Sequence, residues 1–322
     1  MNPAANITIQ HVADAAGVST GTVSRVLNDR AGVKAKTRDT VLATIQKLNY
    51  RPNQTARELS KQATRIGLHI SGVPKLTRFY MLFWRKLVEK LGADGYRLEE
   101  INTFSDASLQ SLDGLILFGA HDDDPRIHFL KTKDIPFVLI GHGQDIRWVA
   151  PDDIGGAGQA VGHLLRLGHR EIVKLTGKLD FQGAQDRLSG YKQALEDAGL
   201  SFQRDLLLEG NFSALEAYRA VRKAREAGLK FTAIFAASDE MALGAIAALE
   251  DLGLNVPLDI SVVGFDDLPT LGDRLTTVRQ DISEIVTTAV SLLKQGLAKE
   301  PVCHKLVETE LIVRSTTARK RG

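Results

Sequence analysis

From Ile66 onward, short apolar runs alternate with longer amphipathic segments, and few folds accommodate that rhythm. The runs are 66–70, 114–118, 137–140, 171–175, 233–236 and 260–264. Helical patterns fill several of the gaps, at 155–167, 187–198, 215–227 and 239–252. A strand too short and too uniformly apolar to have a wet face must be covered on both sides. Alternating strand and helix therefore predicts parallel sheets with helices on each face. More than 250 residues of this pattern suggests two such doubly wound lobes. In open sheets of this kind ligands sit beyond the carboxyl ends of the strands, so site residues belong in the loops after those runs.

The first sixty-odd residues follow a different period. Ile9, Val12, Ala13 and Ala16 fall at helical spacing, with Thr8 placed to cap them and Gly17 to supply the left-handed turn that stops the helix. Ser19 can cap a second helix that buries Val23, Val26 and Leu27. Val41, Ile45 and Leu48 mark a third. Pro52 disfavours helix at Arg51; residues 54–60 can be helical again, and the polar stretch 61–65 reads as a linker. Two short helices joined by a tight glycine turn can lay the second into a DNA major groove. Thr20, Gly21 and Arg25 would then face base edges, with Ser19, Thr22, Ser24 and Asn28 nearer the phosphates. Of these, Arg25 alone can make a bidentate contact, typically with guanine.

Charge supports the division. Residues 1–66 hold ten Lys or Arg and four Asp or Glu, a balance of +6; the whole chain carries +2, which leaves −4 for the remainder. A small basic head on a mildly acidic body is the electrostatic layout of a nucleic-acid-binding module joined to something else. The single cysteine, Cys303, cannot form an internal disulfide and fits a reducing compartment. No charged-then-apolar leader opens the chain and no apolar run could span a bilayer, so a cytoplasmic, nucleoid-associated protein is expected.

The stretch VADAAGVSTGTVSRVLN and the following VKAKTRDTVLATIQKLNYRPNQTARELS resemble the DNA-binding head of the LacI/GalR family. LLRLGHREIVKLTG, RLSGYKQALEDAGL, AIFAASDEMALGAIAALEDLGLNVPLDISVVGFDD and LTTVRQDI resemble its effector domain. The similarity spans nearly the whole chain. It implies an all-α helix-turn-helix head at 1–52, a hinge helix and linker at 53–65, and a two-lobed α/β domain at 66–322 of the periplasmic-binding-protein type I fold. It implies a homodimer on double-stranded, pseudo-palindromic operator DNA, and a hinge at 54–60 that orders on that DNA. Leu59 matches the leucine that wedges into the minor groove. Thr8, Tyr50, Asn53 and Ala56 join the expected DNA contacts. Gly21 departs from the pattern, since many members carry a base-reading side chain there.

The same resemblance implies a small polar effector, a sugar or sugar derivative, between the lobes. Arg187 matches the pocket arginine and Asp266 the pocket aspartate; facing each other across a cleft, they would suit vicinal hydroxyls. Phe79 and Phe212 match aromatic pocket positions, and Asp239 is a further candidate. Phe181 stands where the purine-sensing branch has an arginine, which disfavours a purine. His142 lies in the Gly141-His142-Gly143 run where many members have an aspartate. His121 opens the loop His121-Asp122-Asp123-Asp124-Pro125; a turn and helix cap explain that cluster more cheaply than a metal. Residues 102–112 are short for the helix usual at that place, which predicts a turn.

Two rival classes remain. A sugar-binding protein without a DNA role would share the body but has no use for the basic head. An enzyme would need chemistry the sequence does not display: there is no nucleophile elbow, no Walker loop and no Cys/His metal spacing. The glycines at 155, 156 and 158 follow no strand evident in the sequence and lack a dinucleotide pattern. The expectation is therefore a DNA-binding regulator, a repressor by the commoner mode, with no cofactor and no catalytic residue.

Overall fold

Thr8 precedes the first helix, as its position predicts, and its backbone N–H is accepted by His11 Nδ1 at 3.1 Å. That helix, α1 (Ile9–Ala16), stops at Gly17, whose φ of 66° is the left-handed conformation a side chain would oppose. Ser19 Oγ then accepts from Thr22 N at 3.2 Å and caps α2 (Thr20–Leu27). With α3 (Ala35–Lys47) these helices enclose a small core of Val12, Ala13, Val23, Val26 and Val41. The computed structural model describes residues 8–27, 33–48, 64–71, 77–119, 124–269 and 273–321. The chain forms two units, Met1–Ala63 and Thr64–Gly322. The expected hinge at 54–60 lies outside the described residues.

The second unit holds two six-stranded sheets. The first contains β1 (Arg65–Ile70), β2 (Arg97–Ile101), β3 (Gly114–Phe118), β4 (Phe137–Ile140), β5 (Trp148–Pro151) and β11 (His304–Val307), in the order β11-β5-β4-β3-β1-β2 and parallel throughout. The second contains β6 (Ile172–Thr176), β7 (Leu207–Glu209), β8 (Ala233–Ala236), β9 (Ser261–Asp266), β10 (Thr276–Gln280) and β12 (Thr309–Ile312), ordered β12-β10-β9-β8-β6-β7; only β12 runs antiparallel. Each sheet has two apolar faces. On the first, Leu68, Ile116 and Val138 pack towards α4 (Arg78–Ala93) and α11 (Ile282–Leu297), while Leu115, Leu117 and Leu139 pack towards α6 (Pro125–Thr132). On the second, α7 (Asp153–Arg166) and α8 (Gln182–Asp197) cover one face, and α9 (Ala214–Glu226) and α10 (Asp239–Asp251) the other. Between β2 and β3 there is only the four-residue α5 (Asp106–Leu109), the reduction the sequence predicts.

The chain passes between the lobes three times, after Pro151, after Gln280 and after Val307. Two crossings are tied together: Asp152 N donates to Val307 O at 2.8 Å, and Thr309 Oγ1 donates to Asp152 O at 2.9 Å.

Three features of the fold depart from the pattern expected of the sequence. The glycine-rich stretch does follow a strand, β5, and lies inside α7, which begins at Asp153. Gly156 lets the helix lie close on β10 and β12: a Cβ there would meet Thr309 Oγ1 at 2.6 Å and Val278 at 2.9 Å. Arg65 belongs to β1 rather than to a linker. Helix α8 starts five residues before Arg187, which therefore sits in its second turn.

Candidate functional site

In the head, the first turns of α2 carry the residues expected at DNA. At 3.6 residues per turn Gly21 and Arg25 share one side, opposite the buried Val23 and Val26. Ser19, Gly21 and Arg25 are exposed, as is Thr8, while Thr20 and Thr22 are half-buried. Ser24 lies on the same helix. Asn28, Tyr50, Asn53, Ala56 and Leu59 lie outside the described residues.

In the second unit a cleft opens between the lobes at the carboxyl ends of both sheets. It encloses about 970 Å³, part of it open to solvent, enough for a drug-sized ligand. The N-terminal lobe contributes an apolar wall: Phe79 and Phe83 from α4, Phe118 from β3, Ile140 from β4 and Ile285 from α11. The C-terminal lobe contributes a polar one. Phe181, immediately before α8, and Phe212, after β7, meet edge to face with centroids 6.1 Å apart. Gly177 makes room for Phe212, since a Cβ there would lie 2.2 Å from the ring. Asn211 and Phe212 are both left-handed, at φ 51° and 59°, a conformation costly for side-chain-bearing residues that aims the ring into the cleft.

Arg187 is the organising group. Its Nε donates to Asp153 Oδ1 at 2.8 Å and its Nη1 to Ala237 O at 2.5 Å; Nη1 also lies 3.8 Å from Asp266 Oδ1. The guanidinium stacks over Phe265 at 3.9 Å. Asp266 accepts from Gln280 Nε2 at 2.6 Å and sits at φ 127°. Burial pushes the carboxyls of Asp153 and Asp266 above the usual carboxylate range, against the pull of Arg187. Beneath this cluster Lys174, fully buried, rests 3.7 Å from the Phe235 centroid, and burial drives its pKa well down.

The structure brings together Phe79, His142, Phe181, Arg187, Phe212 and Asp266 of the expected effector residues. Arg187 and Asp266 do not face each other across the cleft: α8 and β9 belong to the same lobe, and the pair forms one wall. Asp239 is a second correction. Its side chain turns from the cleft, accepting from Leu268 N at 2.9 Å and Thr277 Oγ1 at 2.5 Å, because those donors would otherwise be buried unpaired. Burial raises it to about 6. His121 lies outside the described residues, while Asp124 of the same loop caps α6 through Arg126 N at 2.9 Å. Among the described residues no cluster of His, Cys, Asp and Glu could hold a metal ion. Nor is any described helix long and apolar enough to cross a membrane.

Sequence reasoning missed Asp153, Asp186, Glu240 and Gln280, all of which line the cleft. Asp153 became findable only with β5 in hand, since it stands just past that strand's carboxyl end. Asp186 adjoins Arg187 on α8, and Gln280 ends β10, so strand ends were again the usable signal.

Comparison with known proteins agrees with this architecture. Residues 8–53 match the model of bacterial regulatory proteins, lacI family, and residues 161–317 match a periplasmic binding protein-like domain. Catabolite control protein A of Priestia megaterium is 34% identical, over 94% of this chain and 96% of that protein. A solved complex of the transcriptional regulator CelR with cellobiose superposes with a TM-score of 0.71 at 31% identity, covering 96% of this chain and 99% of that one. The lac repressor dimer bound to operator and the anti-inducer ONPF superposes with a TM-score of 0.76 at 30% identity, covering 97% and 99%.

Proposed function

Because the chain belongs to the LacI family and is a DNA-binding transcription regulator, we propose that it is a repressor whose operator affinity is set by a small hydroxylated effector in the interlobe cleft. The observation that carries this reading is the cleft itself. Two separately cored lobes present an apolar aromatic wall and a hydrogen-bonding wall to one space, at the strand ends where such sheets bind ligands. A sugar offers matching faces, apolar C–H on one side and hydroxyls on the other. The CelR structure, with cellobiose bound, supports that class.

In this account Arg25 reads a base, Thr20 assists it, and Thr8, Ser19, Thr22, Ser24 and Asn28 fix the head on the backbone. Tyr50, Asn53 and Ala56 also contact the DNA, and Leu59 wedges into the minor groove. The working form is a homodimer on a pseudo-palindrome, since paired half-sites mirror a two-fold protein, and it works on the nucleoid in the cytoplasm.

Arg187→Ala is a poor test, because it strips the buried Asp153 of its guanidinium partner and leaves Asp266 with Gln280 alone, and breaking a buried pair typically costs about 3–5 kcal/mol. Phe79→Ala and Phe212→Ala touch opposite walls and leave that cluster paired. Thermal-shift titration with mono- and disaccharides should show a stabilising ligand, worth about 2.7 kcal/mol at a hundred times its Kd. Each variant should raise that Kd tenfold or more. Unchanged Kd in both variants would move the effector elsewhere.

A further inference from the structure

Acidic side chains outnumber arginine and lysine among the described lining residues of the cleft, and one of their buried carboxylate oxygens has no hydrogen-bond partner. Four lining residues are acidic, Asp153, Asp186, Glu240 and Asp266; among the described lining residues the only arginine or lysine is Arg187. That arginine is already engaged with Asp153, Ala237 O and Asp266. Glu240 is engaged from the other lobe, accepting from Arg78 N at 3.2 Å with Arg78 Nε 3.8 Å away. Asp186 is different. Its side chain is 9% exposed; Oδ1 accepts from Gln182 Nε2 at 2.8 Å, but Oδ2 is buried with no hydrogen-bond partner. His142 Nε2, on the opposite lobe, lies 3.5 Å from Oδ2. The rings of Phe181 and Phe212 line the same cleft.

A buried carboxylate oxygen without a donor costs free energy until something supplies one. Among the described lining residues, an anionic ligand would meet no uncommitted arginine or lysine. An ammonium brings three donors, no acceptor and the compensating charge, and aromatic faces attract it further. We infer that the effector carries a protonated amine on a hydroxylated ring, the ammonium donating to Asp186 Oδ2 beside Phe181 and Phe212. This rests on the reading of the cleft as the effector site and narrows its ligand class from sugars at large to amino sugars and related ring amines.

The test uses full-length protein and calorimetric titration with matched sets of gluco, galacto and manno probes. Each set holds the parent hexose, the 2-amino sugar, its N-acetyl derivative and the uronic acid. An amino sugar should bind at least tenfold more tightly than its parent and its N-acetyl derivative, a comparison that needs no variant. Asp186→Asn should erase that preference and leave amine and parent alike. A parent sugar or uronate that binds as tightly as the amine, with binding lost in Phe212→Ala, would overturn the inference and leave the effector site standing. An amine preference that survives Asp186→Asn would overturn the assignment to this carboxylate. No binding by any probe would overturn both.

Discussion

Asp239 shows how a single residue can read as a ligand contact and serve the fold instead. Its place just after a strand end is where pocket residues are found, yet both carboxylate oxygens are used up by Leu268 N and Thr277 Oγ1. Gly264 is glycine for the same reason, as a Cβ there would lie 2.4 Å from Asp239 Oδ1. Burial raises the Asp239 pKa to about 6, above the unfolded value near 3.9. The folded state therefore holds this proton more tightly than the unfolded chain. The resulting stabilisation is complete below about pH 4 and is lost as the pH rises through about 6. Asp239→Asn removes the titration and keeps the geometry, because the Thr277 hydroxyl can accept as well as donate. Chemical denaturation of both proteins should show the parent losing on the order of 2–3 kcal/mol relative to the variant between pH 4 and 6. Parallel stability curves would contradict the assignment. Positions such as Arg187, Asp266 and Phe212 were legible through resemblance, which carries location; the partners Asp153 and Gln280 depend on three-dimensional closure that no local pattern encodes.

At the scale of elements, the strands that sequence displayed are those buried on both faces. β3, β4 and β8 fall at the predicted residues because a run such as Gly114–Phe118 has no other plausible use. β2, β7 and β11 sit beside a single neighbour and carry exposed or half-exposed residues, so their hydrophobic signal is diluted. Glycines inside helices were equally opaque, since spacing does not say what approaches them. Gly190 on α8 packs against α7, where a Cβ would meet Ile154 O at 2.2 Å; Gly244 on α10 packs against α9, where it would meet Ala214 O at 2.1 Å. The opposing atoms are backbone and cannot swing aside. Gly190→Ala and Gly244→Ala should each cost about 1–3 kcal/mol or more by overpacking. Gly158, on α7 with nothing within 4 Å, should gain about 0.5–1 kcal/mol as alanine, because only its backbone entropy is at stake. Urea midpoints of the three variants decide this, and destabilisation by Gly158→Ala would mean that a neighbour covers that surface.

Over the whole molecule, the division into a basic head and an α/β body was legible from charge and period alone, and the two-lobed design from length. The three crossings were not, because a chain switching sheets leaves no mark beyond an unremarkable loop. Two of those crossings are tied at Asp152, and described side chains bridge the cleft at Arg78 with Glu240 and at His142 with Asp186. A ligand touching both walls binds one lobe arrangement better than another and shifts the population by that difference. Regulation then requires that the favoured arrangement also change DNA affinity, a coupling of about 1–3 kcal/mol in typical cases. The decisive measurement is an anisotropy titration of full-length protein against a duplex selected from random sequence, with and without a saturating cleft ligand. The isotherms should separate by about fivefold or more in Kd, and Phe79→Ala should need about tenfold more ligand, or more, to show the same separation. Superimposed isotherms for the parent protein, with the ligand demonstrably bound, would contradict this coupling.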